Sequence, residues 1–234
     1  MKIKTTMLPL FTMAFSVFGI IARFWMNTAG TDKEGFVISG HPSVAVSIII
    51  FALTIITLGL CAYFMDKTPK PFSRSVAGAV GCFLGGAGLL VATLLEANTD
   101  GFLGITSCIT GIITAIVFVV MGMRRLNCKP TNIWLYVLVT VYFVSHLLLQ
   151  YQQWSQIPEL SEYMFPVLGS IFLMLAFYHR ASKDLGKPSE WQYMFFSQAA
   201  LFCCIMASFI QNWLFYSSMA IWLLLDSLPG KEQK

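Results

Sequence analysis

The chain has 234 residues and a net charge of +4, and 57% of its residues are apolar or aromatic whereas only 11% are charged. Soluble globular domains carry about 25% charged residues, so this composition does not provide a water-exposed surface for a chain of this length. It excludes a disordered chain, a collagen, a coiled coil and a disulfide-stapled secreted domain, and it indicates a polytopic membrane protein.

Long apolar segments with few charges predict the helices that cross the membrane, and the first of them is broken only by Arg23. A helix needs about 20 apolar residues to cross roughly 30 Å of hydrocarbon. The predicted spans cover residues 5–26, 43–65, 75–95, 101–123, 132–153, 161–178, 191–210 and 213–228. The predicted fold is therefore an all-α bundle of eight transmembrane helices that forms a single membrane domain, residues 1–234.

The last two spans come from one charge-free stretch, residues 191–225. As a single helix this stretch would be about 52 Å long, which exceeds the thickness of a bilayer core. Gln211 and Asn212 interrupt it, so we place a short turn there, and Pro229-Gly230 ends the last helix. One long tilted helix, which gives seven spans, is the alternative.

Basic residues are distributed unevenly between the two sides that eight spans define. All but two of the 15 Lys and Arg residues fall on one side, and the exceptions are Arg23 and Lys33. Because Lys and Arg concentrate in cytoplasmic loops, both termini are predicted to lie in the cytoplasm. The net positive charge thus reflects topology in a lipid bilayer, and no nucleic-acid partner is predicted. The short loops favour a bacterial cytoplasmic (inner) membrane.

Small residues recur at helical spacing in the third and fourth spans. They include Gly78, Cys82 and Gly86 on one face of the third span, Gly81 and Gly85 on the next face, and Gly104, Cys108, Gly111 and Ala115 in the fourth span. Small residues four apart let helix backbones approach closely in lipid. The two spans are therefore predicted to pack as a tight antiparallel hairpin.

Eight spans also divide into two parallel halves, residues 1–129 and 130–234. A short fragment beginning Lys70-Pro71 follows the second span of the first half, and Lys187-Pro188 follows the second span of the other half. Internal repeats of this kind are common in transporters, so we expect a weak 4+4 repeat.

A few polar residues in or beside the spans are the candidate ligand-binding residues: Arg23, Glu96, His146, Gln150 and Gln198. Ionisable residues inside a membrane usually mark a functional site. For Arg23 the alternative is snorkelling to the outer headgroups, and for His146 and Gln150 it is hydrogen bonding between helices. Gln198 needs polar partners if its amide is buried.

The sequence assigns no catalytic residue, metal ligand or cofactor. Its three histidines lie at different depths of the predicted bundle and cannot share one metal ion, and it has no nucleophile elbow and no phosphate-binding loop. The cysteines are expected to be free, with Cys128 in a cytoplasmic loop. Asp226, near the inner end of the last span, is expected to be solvated, and Tyr216 is expected in an interfacial aromatic belt.

The leading functional hypothesis is that the protein binds or transports a small anionic or amphipathic molecule through an outward-facing polar pocket. Arg23 would hold an anionic group, and Glu96 or His146 would exchange a proton. A structural or regulatory subunit of a membrane complex, with another protein or a second copy as its partner, is the alternative. A third hypothesis is an intramembrane enzyme that acts on lipid.

Overall fold

The structure is a computed structural model that describes residues 7–30, 38, 40–64, 75–96, 101–154, 163–186, 190–209 and 212–228. Within these ranges the chain forms eight α-helices and no strand. They are α1 (Met7–Ala29), α2 (Pro42–Tyr63), α3 (Val76–Glu96), α4 (Phe102–Leu126), α5 (Ile133–Trp154), α6 (Met164–Asp184), α7 (Glu190–Ala207) and α8 (Trp213–Ser227). The prediction of an all-α, multi-pass bundle is confirmed.

The first six helices differ from the last two in length. Each of α1 to α6 is long and apolar enough to cross a membrane. By contrast α7 has 18 residues and α8 has 15, which corresponds to about 27 Å and 22 Å. Asn212, with φ of 61°, lies in the left-handed region immediately before α8. The final apolar stretch is thus two short helices, with a break next to Asn212; Gln211 lies outside the described residues.

Helix α7 is the centre of the bundle. It packs against α1 and α2 on one side and against α6 and α8 on the other. Helix α8 in turn packs on α3, which pairs with α4, and α5 lies between α4 and α6. Aromatic rings fill the core on the side of α7 where α6 and α8 pack, and there Phe177 and Trp222 stack with ring centroids 4.7 Å apart. The short helices are therefore covered by longer ones.

The small residues of α3 allow close contact with two neighbouring helices, α4 and α8. A methyl group at Gly86 would lie 2.9 Å from Cβ of Phe118 and 3.2 Å from the carbonyl oxygen of Ala115, both in α4. A methyl group at Gly85 would lie 2.9 Å from Cβ of Trp222 in α8. The close α3–α4 hairpin is as predicted from the spacing, and the neighbouring glycine face holds α8.

The predicted 4+4 repeat and the predicted orientation in the membrane both depend on residues outside the described ranges. The fragments at Lys70 and Lys187, which suggested the 4+4 repeat, lie there, as do Lys33 and many of the basic loop residues. The repeat stays a prediction. We call the end of the bundle that charge places toward the cytoplasm the inner end, and the opposite end the outer end.

Candidate functional site

An acid and a histidine meet near the outer end of the bundle. Glu96 is the last residue of α3, and its Oε2 lies 3.5 Å from Nδ1 of His146 on α5. The His146 side chain is 1% exposed, whereas that of Glu96 is 21% exposed. The pair is therefore reached from the surface through Glu96.

Aromatic rings hold the imidazole of His146 in place. The ring stacks on Tyr142 with centroids 5.6 Å apart and contacts Phe215 of α8 at 4.5 Å. Both ring nitrogens, Nδ1 and Nε2, are buried and have no hydrogen-bond partner among the residues that the structure describes. The imidazole is thus held in position by these rings, with Nδ1 as the nitrogen that lies near Glu96.

Gln150 lies one turn beyond His146 and completes this outer cluster. Its Oε1 accepts a hydrogen bond of 3.0 Å from Oη of Tyr216, and both side chains are buried. The structure therefore brings together three of the five predicted site residues, Glu96, His146 and Gln150, and adds Tyr216 to them. Tyr216 belongs to the bundle interior and not to an interfacial belt, because it is fully buried, its ring packs on Phe215 and its hydroxyl bonds to Gln150.

The other two predicted site residues lie on the opposite side of α7. Arg23 of α1 is 3% exposed, and its Nη1 lies 3.5 Å from Sδ of Met26. Gln198 of α7 is fully buried. Arg23 is thus enclosed by protein, whereas snorkelling would have exposed it to the headgroups. The predicted site divides into two groups, one on α3, α5 and α8 and one in the seam between α1, α2 and α7.

A larger polar cluster, which the sequence analysis missed, lies at the inner end. Asp226 of α8 accepts a hydrogen bond of 2.9 Å from Nη1 of Arg180, pairs with Arg125 and accepts a hydrogen bond from Tyr193. Asp226 is buried and ion-paired, so the expectation that it is solvated is wrong. The ends of α4, α6 and α7 surround it and exclude water.

The cluster extends from Arg180 toward the inner end of α6. Asp184 lies 3.7 Å from Nε of Arg180 and accepts a hydrogen bond of 2.7 Å from Oη of Tyr136 in α5. Lys183 lies 3.4 Å from Oε1 of Glu190. We call this set the inner network: Arg125, Tyr136, Arg180, Lys183, Asp184, Glu190, Tyr193 and Asp226. Its three cations balance its three carboxylates, and it ties together α4 to α8.

The inner network could have been suspected from its charges. Arg125 and Arg180 lie two residues beyond the inner ends of predicted spans, and Asp226 lies in the last turn of another span at the same side of the membrane. Charges of opposite sign at one depth favour pairing, because an unpaired charge is costly to bury.

A groove of about 750 Å³ lies between α4, α5 and α6. Its lining is mostly apolar and includes Leu103, Val137, Val144, Met174 and Tyr178. Val137, Val144 and Tyr178 are exposed on the lateral surface of the bundle, so the groove faces the hydrocarbon of the bilayer. It lies on a different face of α5 from His146, and it is not the outward-facing polar pocket that the sequence suggested.

Comparisons of the chain with known protein families, with curated proteins and with solved structures gave no match. No group of three or more His, Cys, Asp or Glu side chains within the described ranges is arranged to hold a metal ion. A functional proposal must therefore be built from the outer cluster, the seam and the inner network themselves.

Proposed function

We propose that the protein is a carrier that takes up a small anionic or amphipathic molecule from the outer side of the membrane together with a proton. The observation that carries the proposal is the contact of 3.5 Å between Glu96 and His146, in which only Glu96 is partly exposed. Intramembrane ionisable residues mark substrate and proton pathways, and histidine exchanges protons near neutral pH.

The chemistry of the pair links anion binding to protonation. A protonated His146 is balanced by the Glu96 carboxylate, and a carboxylate ligand would compete with Glu96 for the same imidazolium. Because two carboxylates at one site repel each other, the ligand binds when Glu96 is protonated. One proton is then taken up for each anion, and the anion binds more tightly at lower pH.

The inner network supports a carrier in preference to an open channel. Arg125 and Arg180 are both held by Asp226, and these contacts join α4 and α6 to α8 at the inner end. Their side chains are almost fully buried. A site that is reached through Glu96 at one end, with a closed ionic network at the other end, has the arrangement that alternating access requires.

Binding of acetate, lactate and benzoate to the protein in lipid nanodiscs tests the proposal. We expect calorimetry to show that at least one of these anions binds more tightly at pH 5.5 than at pH 7.5. Glu96→Gln should strengthen binding at pH 7.5 and reduce the pH dependence, because the amide resembles the protonated acid and removes the competing carboxylate, and His146→Leu should abolish binding. His179→Leu is the matched control, since His179 lies on α6, stacked on Phe196. Absence of binding by all three anions at both pH values would contradict the proposal.

A structural or regulatory subunit is the competing function, and it makes a different prediction. A native mass spectrum of the protein after gentle extraction would then contain a second polypeptide at fixed stoichiometry. In the carrier, the chain is recovered without such a partner, and the Glu96 and His146 variants alter anion binding.

A further inference from the structure

Gln198 is a buried amide without a described partner. It lies in the middle of α7 and is fully buried, and neither Nε2 nor Oε1 has a hydrogen-bond partner among the described residues. An unpaired amide in an apolar interior costs about 1–3 kcal/mol. Such a group is retained most readily where a guest molecule satisfies it.

The contacts of its neighbours show which way Gln198 faces. Met194, one turn before it, packs in one cluster with Leu8 of α1. Phe202, one turn after it, lies 3.3 Å from where a methyl group on Gly19 of α1 would be. Because residues four apart share one face of a helix, Gln198 faces α1 between these two levels.

Helix α1 offers hydroxyl groups at that depth. Thr12 and Ser16 are both buried and lie between Leu8 and Gly19, on the same face of the helix. The Thr12 hydroxyl donates to the carbonyl oxygen of Leu8 at 3.0 Å, and that of Ser16 donates to the carbonyl oxygen of Thr12 at 2.8 Å. Their hydrogens are therefore engaged, and their oxygens remain as acceptors.

Helix α2 adds a third hydroxyl at the same depth. Ala62 belongs to the cluster with Met194, and the ring of Phe51 lies 6.3 Å from that of Phe202. Thr54 is buried between these levels, and its hydroxyl donates to the carbonyl oxygen of Ile50 at 2.7 Å. Gln198 thus lies at the depth of three hydroxyl oxygens that can accept further hydrogen bonds.

The charges along the seam select a neutral guest. Arg23 lies two turns outward from Ser16, about 10 Å along α1, so a cation that enters from the outer end has to pass a guanidinium group. An anion would find few donors, because the hydroxyl hydrogens of Thr12, Ser16 and Thr54 are already engaged. A neutral molecule that donates several hydrogen bonds and accepts one fits the remaining groups.

We propose that the seam between α1, α2 and α7 binds a small neutral primary amide or urea at Gln198. The carbonyl oxygen of the guest accepts from Nε2 of Gln198, and one of its N–H groups donates to Oε1, which forms a two-bond amide pair. The remaining N–H groups donate to the hydroxyl oxygens of Thr12, Ser16 or Thr54. This site is separate from Glu96 and His146 and does not depend on the carrier proposal.

The inner side of this site is closed by an apolar cluster. Leu8, Cys61, Ala62 and Met194 form it, and the aromatic rings of Trp191 and Phe195 pack against it. Small polar residues continue in the other direction, where Ser43 and Ser47 are buried in α2. The guest therefore binds on the outer side of this apolar cluster.

Saturation-transfer NMR with acetamide tests this site in the nanodisc-embedded protein. We expect the acetamide methyl signal to show transfer from the wild-type protein, and urea to compete with it. N,N-dimethylacetamide, which lacks N–H donors, should not compete. Gln198→Leu removes both bonds of the amide pair and should weaken binding about tenfold or more. Absence of transfer from the wild type, or equal transfer from Gln198→Leu, would overturn the proposal.

Three further variants guard against a folding effect and separate this site from the carrier site. Gln152→Leu makes the same substitution at an exposed glutamine of α5, and it should leave the acetamide signal unchanged. Thr54→Val keeps the shape of the side chain and removes one acceptor, so it should weaken acetamide binding even if Gln198→Leu does not fold. Glu96→Gln should not alter acetamide binding, whatever its effect on anions; a loss there would contradict a separate site.

Discussion

Nη1 of Arg180 lies 2.9 Å from Oδ2 of Asp226, and the two side chains are 8% and 2% exposed. The residues are 46 positions apart in sequence and join the inner ends of α6 and α8. Asp226 also pairs with Arg125, so one carboxylate neutralises part of the charge of two buried guanidinium groups. Asp226 is therefore the carboxylate that links α4, α6 and α8 at the inner end.

Replacing Asp226 with Asn should destabilise the protein strongly. The amide keeps the size of the side chain but leaves Arg125 buried without its counter-charge and leaves Arg180 with only Asp184, at 3.7 Å. Removing one partner of a buried ion pair costs about 3–5 kcal/mol. The free energy of unfolding, measured by denaturant titration in mixed micelles, should fall by an amount in this range.

Two adjacent arginines provide the matched control for this effect. Arg125 is buried in the inner network, whereas Arg124 is half-buried and donates a hydrogen bond of 2.7 Å to the carbonyl oxygen of Pro130. Arg125→Gln should lower the free energy of unfolding by several kcal/mol, and Arg124→Gln by no more than about 1.5 kcal/mol. Equal effects of the two substitutions would show that the buried contacts with Asp226 contribute little.

The class of fold was predictable because each long helix corresponds to a long apolar segment of the sequence with few charges. The break between the last two helices was also predictable, since Asn212 interrupts an apolar stretch that is too long for one span. The role of Asp226 was not predictable in the same way, because hydropathy shows the depth of a residue but not its neighbours. Asp226 finds Arg125 only after α3, α4 and α8 have packed together.

The candidate site was likewise predictable only in part. The helical spacing of His146 and Gln150 placed them on one side of α5, and Glu96 was expected in the same outer half, but its contact with His146 was not predicted. Gln198 is also a polar residue within a predicted span, but its position on α7 directs it toward α1 and α2. Tertiary packing decides which face of a mostly apolar helix contacts which neighbour, and α7 is buried on nearly every face.

The close α3–α4 contact predicts a difference between two helical glycines. Gly86→Ala would place a methyl group 2.9 Å from Phe118 and 3.2 Å from the backbone of Ala115, whereas Gly59→Ala would place one 3.7 Å from the ring of Phe195. Overpacking costs about 1–3 kcal/mol, so Gly86→Ala should lower the thermal unfolding midpoint. Gly59→Ala should leave it unchanged or raise it. A similar shift in both variants would contradict close backbone packing at Gly86.

The hydrogen bond between Tyr216 and Gln150 should appear as a coupling energy in a double-mutant cycle. Tyr216→Phe and Gln150→Leu each remove one partner of the bond of 3.0 Å. Interhelical hydrogen bonds in membrane proteins contribute about 0.6 kcal/mol on average and up to about 1.7 kcal/mol. We expect the losses in free energy of unfolding caused by the two single substitutions to add up to more than the loss caused by the double substitution, by an amount in this range. Strictly additive effects would mean that the bond does not stabilise the outer cluster.

Labelling of Cys128 tests the orientation on which the words inner and outer rest. Cys128 lies in the connection between α4 and α5 and is half-buried, whereas Cys61, Cys82, Cys203 and Cys204 are buried in helices. A membrane-impermeant maleimide should therefore label inverted membrane vesicles but not intact cells, and Cys128→Ser should remove the label. Labelling from outside intact cells would invert the topology, place Glu96 and His146 at the cytoplasmic end and reverse the proposed direction of uptake.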